Sequence, residues 1–104
     1  MRFGFLTPEG QNIGHFSIEP FPGNGSVCIS TDSFIVPWMR RKGYGTQMDE
    51  KRVSEALQMG YTYMLCTVRL DNKAEQALLK KRGWVYLDNI CHSEDYVQLY
   101  GRAL

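Results

Sequence analysis

Apolar residues fall into short, closely bounded runs along this chain. "RFGFLT" (residues 2–7) alternates and then meets the turn-rich cluster "PEGQN", after which "IGHFSIEPF" resumes an extended pattern. Two such runs around a polar turn predict a β-hairpin. "PGNG", Pro22 to Gly25, marks a loop. "SVCISTDSFIV" is rich in β-favouring residues and stops at Pro37. From Tyr44 to Met59 there is no proline, and Met48, Val53, Ala56 and Leu57 recur at near-helical spacing, with Gly60 as a natural stop. "YTYMLCTVRL" returns to strand character. "DNKAEQALLKKRG" predicts a second helix: Asp71 or Asn72 caps its start, Ala74, Ala77 and Leu78 form an apolar stripe, cations fill its last turn, and Gly83 ends it. "WVYLDNI" and "DYVQLYGRAL" read as two further strands joined by the polar loop "CHSED". The predicted order is β-β-β-α-β-α-β-β, an α+β fold with a mixed, mostly antiparallel sheet and helices on its faces.

A chain of 104 residues is expected to form one domain over residues 1–104. The net charge of +1 removes a whole-surface nucleic-acid footprint from consideration, so any basic feature acts locally. Cys28, Cys66 and Cys91 lack metal-like spacing, and the first two lie inside apolar strand-like runs. They read as buried small hydrophobes in a reducing compartment, with no metal expected. "MRFGFLTPEG" holds no signal-peptide core, and no apolar run approaches the roughly 20 residues that span a bilayer. The expectation is a cytoplasmic protein without a membrane partner.

"RRKGYGT", residues 40–46, sits where a strand passes into a helix. Cations at a helix N-terminus oppose the helix dipole, and glycine there forgoes packing. Both choices make sense around an anion held by consecutive backbone N–H groups. Arg40, Arg41 and Lys42 would screen its charge, while Gly43 and Gly45 would let the backbone approach it. The dinucleotide fingerprint is excluded because Met48 stands where its third glycine belongs, and the Walker loop is excluded by its missing upstream glycine. A surface turn with solvated cations remains the other reading of this stretch.

"FIVPWMRRKGYGTQM" resembles motif A of the GNAT superfamily of N-acetyltransferases, hydrophobic-x-V-x-P-x-x-R-x-x-G-x-G/A, with Ile35 at the valine position followed by Val36, Pro37, Arg40, Gly43 and Gly45. "VRLDNKAEQALLKKRGW" resembles motif B of the same family through Val68, Asn72, Leu78, Lys81, Gly83 and Trp84. The resemblance implies that the third and fourth predicted strands splay apart and that the pantetheine arm of acetyl-CoA enters between them. It implies main-chain contacts from Phe34, Ile35 and Val36. The pyrophosphate would sit on the N–H groups from Arg41 to Thr46, Tyr44 included, and Asn72 would point to the pantetheine. The implied activity is acetyl transfer from acetyl-CoA to an amine acceptor.

Such a transfer needs an oxyanion donor, a proton for the leaving thiolate and a base for the amine. The family tyrosine falls at position 79, where this chain has Leu79. Tyr86, Tyr96 and Tyr100 are the candidate replacements. The family base positions match Ile29 and Thr31, neither of which titrates. Asp32 is adjacent but of the wrong parity unless a β-bulge turns it, and nothing in the sequence brings His15 or His92 to the thioester. Family members usually begin with a strand and two helices ahead of the hairpin, so the acceptor site is expected to be open or completed by a second copy in a homodimer. Two further readings stand beside the transferase: a CoA-binding protein without turnover, and a nucleic-acid module that uses "RRK", "KKR" and the rings of Trp38, Tyr44 and Trp84.

Overall fold

The computed structural model describes residues 1–92 and 95–104. Ser93 and Glu94 of the "CHSED" loop lie outside the described residues, as do the side chains of Cys91, His92 and Asp95. The strands are β1 (Arg2–Leu6), β2 (Asn12–Pro20), β3 (Val27–Ile35), β4 (Tyr63–Arg69), β5 (Val85–His92) and β6 (Asp95–Ala103). The helices are α1 (Tyr44–Gln58) and α2 (Lys73–Lys81), and a short 3-10 turn covers Pro37–Met39. The element order is the predicted one. β5 runs two residues beyond "WVYLDNI", so strand takes up most of the predicted polar loop.

The six strands form one sheet in the order β1-β2-β3-β4-β6-β5. Only β3 and β4 pair in parallel; the other neighbours are antiparallel. The chain passes from β3 through α1 to β4. It then passes from β4 through α2 to β5, which is also parallel to β4 because β6 lies antiparallel between them. Both crossovers step in the same direction across the sheet. Right-handed crossovers that advance the same way put their helices on the same face. That face carries the row Ile18, Ser30, Cys66 and Tyr100 across four strands, all of them buried. Tyr44 of α1 packs edge-on against Phe5 of β1, with ring centroids 6.3 Å apart.

The buried side of α1 is only in part the apolar stripe that its sequence spacing predicts, with Val53 half-buried against the core. Leu57 is exposed, while Asp49 and Arg52 are buried with Met48 and Ala56. In α2 the buried residues are Gln76 and Leu79, and Ala74 and Ala77 face solvent. Polar residues enter the core here because each is bonded there. Asp49 Oδ1 accepts from Arg52 Nε at 2.9 Å and from the Trp84 indole N–H at 3.1 Å, and Asp49 Oδ2 accepts from Arg82 Nε at 3.4 Å. Arg102 Nη1 stands 3.8 Å from the same carboxylate. Arg52 in turn donates to Ser33 Oγ of β3 at 3.2 Å, lies 3.7 Å from Glu75 of α2, and sits 5.0 Å above the Trp84 ring. Gln76 Nε2 donates to the carbonyls of Arg69 and Leu70 at the end of β4, at 3.0 and 2.9 Å. One carboxylate and one guanidinium thus tie both helices to β3, to the entry of β5 and to β6.

Removing Asp49 leaves the buried Arg52 with the more distant Glu75 as its carboxylate partner, beside Ser33 and the Trp84 ring. Asp49→Ala is expected to cost about 3–5 kcal/mol of stability, read from urea unfolding. Glu75 behaves differently: burial raises its carboxyl above the usual 4.5, and this outweighs the pull of Arg52. The unfolded chain therefore releases this proton at lower pH than the folded one, and the charged form works against folding at neutral pH. Glu75→Gln is expected to raise the unfolding midpoint at pH 7, and its advantage should vanish as the pH falls below about 4.5.

Candidate active site

β3 and β4 are paired over only four positions, Val27↔Tyr63 to Ser30↔Cys66, although β3 continues to Ile35 and β4 to Arg69. The cause is a β-bulge. Between Ser17↔Thr31 and His15↔Phe34, β2 contributes Phe16 alone while β3 contributes Asp32 and Ser33. Asp32 absorbs the extra length at φ 59°, a left-handed conformation that a non-glycine residue holds only under constraint. Past the bulge β3 follows β2: the Val36 N–H donates to the Ile13 carbonyl at 2.8 Å. At Gly14 the two strands approach so closely that a Cβ would lie 2.2 Å from the Phe34 carbonyl oxygen. β4 meanwhile stays with β6, in register from Cys66↔Tyr100 to Arg69↔Val97. Each strand is held by its outer neighbour, and a gap opens between them. Because the two strands are parallel, it opens at their C-terminal ends, where α1 and α2 begin.

The sequence-predicted residues line this gap in different ways. Main-chain groups alternate sides along a strand, so Phe34 directs its groups and Val36 its N–H toward β2, the Val36 carbonyl accepts the Met39 N–H, and Ile35 directs its N–H into the gap. The Ile35 carbonyl is taken by Arg40, whose Nε donates to it at 2.7 Å. Arg40 also lies 5.3 Å over the Phe34 ring, so its side chain is folded back on the strand rather than held over the loop. Arg41 and Lys42 are exposed.

Arg41 (φ 62°) and Gly43 (φ 83°) both adopt left-handed conformations, and Gly43 is the N-cap of α1. No side chain caps this helix, and its first turn carries no acidic residue. The first helical bond runs from the Gln47 N–H to the Gly43 carbonyl. Among the described residues, no acceptor within the chain faces the N–H groups of Arg41, Lys42, Gly43, Tyr44, Gly45 and Thr46. A Cβ on Gly45 would meet Leu78 Cδ2 of α2 at 3.2 Å, so the small residue there serves the approach of α2 while its N–H stays open. Asn72 caps α2: its Oδ1 accepts the Glu75 N–H at 3.2 Å. Both helices therefore start at the mouth of the gap, one with a side-chain cap and one without.

At the closed end lie Ser30 and Cys66, the last paired residues. Ser30 Oγ is the buried side-chain oxygen without a partner among the described residues. The Cys66 thiol is pushed up to about 12, mainly by burial; Arg52 pulls it down, and Glu75 and Asp49 push it further up. The sequence shows no cation beside this cysteine, whereas the fold places Arg52 there. Burial still dominates, so Cys66 is a packed thiol and not a nucleophile near neutral pH. Of the candidate tyrosines, Tyr100 lies in the same row as Ser30 and Cys66. It is fully buried, its hydroxyl donates to Gln98 Oε1 at 2.7 Å, and burial raises its pKa. Tyr86 is exposed and donates to Asn89 Oδ1 at 2.8 Å, and the Tyr96 carbonyl accepts the Leu70 N–H. Leu79 is part of the core.

The β-bulge that Asp32 required is present, and beside it Asp32 meets His15, for which the sequence offered no location. His15 Nδ1 lies 2.8 Å from the Asp32 carbonyl oxygen and 3.7 Å from Asp32 Oδ2. The signal was the two-versus-one mismatch of β2 and β3, which no single strand reveals. The rings suggested for nucleic-acid stacking are mostly committed elsewhere: Trp84 is buried on Asp49, Tyr44 is half-buried against Phe5, and Trp38 is exposed.

The gap thus has unsatisfied N–H groups at one end and an orphan hydroxyl at the other. Residues 2–84 match the acetyltransferase (GNAT) family. No curated protein matches. A GCN5-related N-acetyltransferase from Kribbella flavida is 17% identical with a TM-score of 0.83, covering 99% of this chain and 67% of that one. The GNAT-family acetyltransferase from Bacillus anthracis is 14% identical at TM-score 0.84, covering 98% and 65%. A GNAT-family acetyltransferase from Elizabethkingia anophelis, solved with acetyl-CoA bound, is 13% identical at TM-score 0.78, covering 94% and 72%. The chain thus spans about two thirds of the length of these structures. With the matched region covering most of its length, and with the splayed parallel pair and uncapped glycine loop in place, the chain belongs to the GNAT acetyltransferase family.

Proposed function

We propose that this chain binds acetyl-CoA and transfers the acetyl group directly to a primary amine. The observation that carries the reading is the coincidence of two unusual features at one end of the sheet. One is a parallel strand pair that parts after four residue pairs; the other is an uncapped helix N-terminus whose loop N–H groups have no acceptor in the chain. Such donors suit the pyrophosphate of CoA, with Arg41 and Lys42 adding screened charge. Ile35 offers its N–H to the pantetheine, and Asn72 keeps its amide nitrogen at the mouth while its oxygen caps α2. The thioester supplies an activated acyl carbon, and the protein supplies alignment, which can be worth about 7–11 kcal/mol. A buried thiol pushed up to about 12 argues against relay of the acetyl group through Cys66. The buried, unpaired Cys28 and Cys66 fit a reducing compartment such as the cytoplasm.

The competing reading, CoA binding without turnover, draws on Leu79, a core residue where the resemblance calls for a leaving-group acid. Turnover of acetyl-CoA with a panel of primary amines separates the two. A second copy of the chain is the expected partner. β5 is a sheet-edge strand with Val85, Tyr86, Leu87 and Ile90 exposed, a composition suited to edge pairing about a two-fold axis. A mass near 12 kDa throughout a micromolar sedimentation series would rule that dimer out.

Isothermal titration with CoA tests the loop. Gly43→Val puts a β-branched residue at φ 83°, at a cost of about 1–2 kcal/mol, and disturbs the N–H array. CoA affinity is expected to fall at least tenfold, about 1.4 kcal/mol, in a variant that remains folded by circular dichroism. Unchanged affinity would remove the loop from the binding site.

A further inference from the structure

Resting on the transferase reading above, we infer that His15 is the general base for the acceptor amine, oriented by Asp32 through the bulge in β3. The argument begins with the tautomer. The Asp32 carbonyl oxygen, 2.8 Å from Nδ1, can only accept, so Nδ1 carries the proton and donates. Nε2 then holds the free lone pair. The Asp32 carboxylate, 3.7 Å away, lies beside the same ring nitrogen. Phe34 stacks on the imidazole with ring centroids 5.5 Å apart and an interplanar angle of 24°, which fixes the ring plane. A positioned base, an orienting carboxylate and a packed ring are the components of general-base catalysis.

The location fits the same role. His15 pairs with Phe34 across β2 and β3, just beyond the bulge that opens the gap. His15 therefore stands level with the opened part of the gap, toward the C-terminal ends of β3 and β4 from the last pair, Ser30 and Cys66. His15 shares the sheet face of Ser17 and Thr31, opposite the helix-covered row, so an acceptor can reach it without displacing the core. A groove of about 420 Å³ runs there, lined in part by Arg2, Gly4, Asn12, His15, Phe34 and Val36. The charged groups that face the imidazole come from both neighbouring strands: Asp32 on β3 and Arg2 on β1, whose Nη1 is 3.9 Å from Asp32 Oδ2. Arg40 lies over the far partner, Phe34. The left-handed conformation of Asp32 is what places both its carbonyl and its carboxylate beside His15.

The step balances as follows. The acceptor ammonium gives one proton to His15 Nε2. The resulting amine nitrogen attacks the acetyl carbon, the C–N bond forms and the C–S bond breaks. CoA leaves as the thiolate and takes a proton from water. The second nitrogen proton and the proton on His15 pass to solvent, which restores the neutral imidazole.

The test uses the whole chain, acetyl-CoA and a panel of primary alkylamines, with CoA binding measured alongside turnover. The expected results are a kcat at least about 100-fold lower in His15→Gln, a CoA Kd within twofold of the wild type, and partial recovery on adding imidazole. Asp32→Asn keeps the size of the side chain but removes the orienting charge, and it is expected to lower kcat several-fold with the CoA Kd unchanged; an unchanged kcat there would overturn the orienting role. Turnover retained in His15→Gln would overturn the assignment. So would loss of CoA binding in that variant without imidazole rescue, which marks a structural role. A wild type that binds CoA but acetylates no amine overturns the base and leaves the CoA site standing. A wild type that binds no CoA refutes the underlying reading, and the base with it.

Discussion

One extra residue in β3 decides the geometry of this protein. Asp32 and Ser33 oppose the single Phe16 on β2, and a strand cannot absorb that mismatch and stay in line with both neighbours. Beyond the bulge β3 keeps its hydrogen bonds to β2 and gives up those to β4. The main-chain groups released on the inner edges are the price of opening a sheet in its middle. Backbone N–H groups turned away from any partner are costly where water is excluded. The gap therefore persists only at a place that solvent or a ligand can fill. A hydrogen-bonding arm between the strands would restore the lost pairing.

An opened sheet also needs bracing. The parted halves are spanned on the helix side by α1 and α2, and the pair Asp49 and Arg52 connects those helices to strands on both sides of the gap. Arg52 reaches Ser33 within the bulge itself, while Asp49 holds Trp84 at the entry of β5 and lies near Arg102 of β6. Buried ion pairs contribute little net stability compared with an apolar core of the same shape. Their value here lies in direction: a guanidinium with several fixed donors sets the distance between elements more narrowly than aliphatic contacts do. The opposite face holds the groove with His15.

Much of this was legible in the linear chain. The order of strands and helices followed from apolar periodicity and from the placement of Pro37, Gly60 and Gly83. The turn that opens α1 without a side-chain cap showed in the spacing of Gly43 and Gly45, and the cap of α2 showed in Asn72. These features are local, set by backbone preferences within a few residues, and so they survive in one dimension. The buried faces of the helices were read less well. Apolar spacing selected Leu57, Ala74 and Ala77, whereas the core holds Asp49, Arg52 and Gln76. A clue was present, since Arg52 falls four residues from both Met48 and Ala56 on a single helical face. What justified burying it, partners on β3, α2 and at Trp84, is scattered over about fifty residues of sequence.

The sequence alone determined which segments are strand and which are helix, where the glycine turn into α1 lies, and which family the chain resembles, because each depends on neighbours along the chain. Tertiary structure alone decided that the gap opens after Ser30 and Cys66, that both helices share one face, and that His15 meets Asp32. Those outcomes depend on register, and register is a relation between strands. A single residue counted on β3 but not on β2 shifts every later pairing, and no property of either strand read by itself contains that difference.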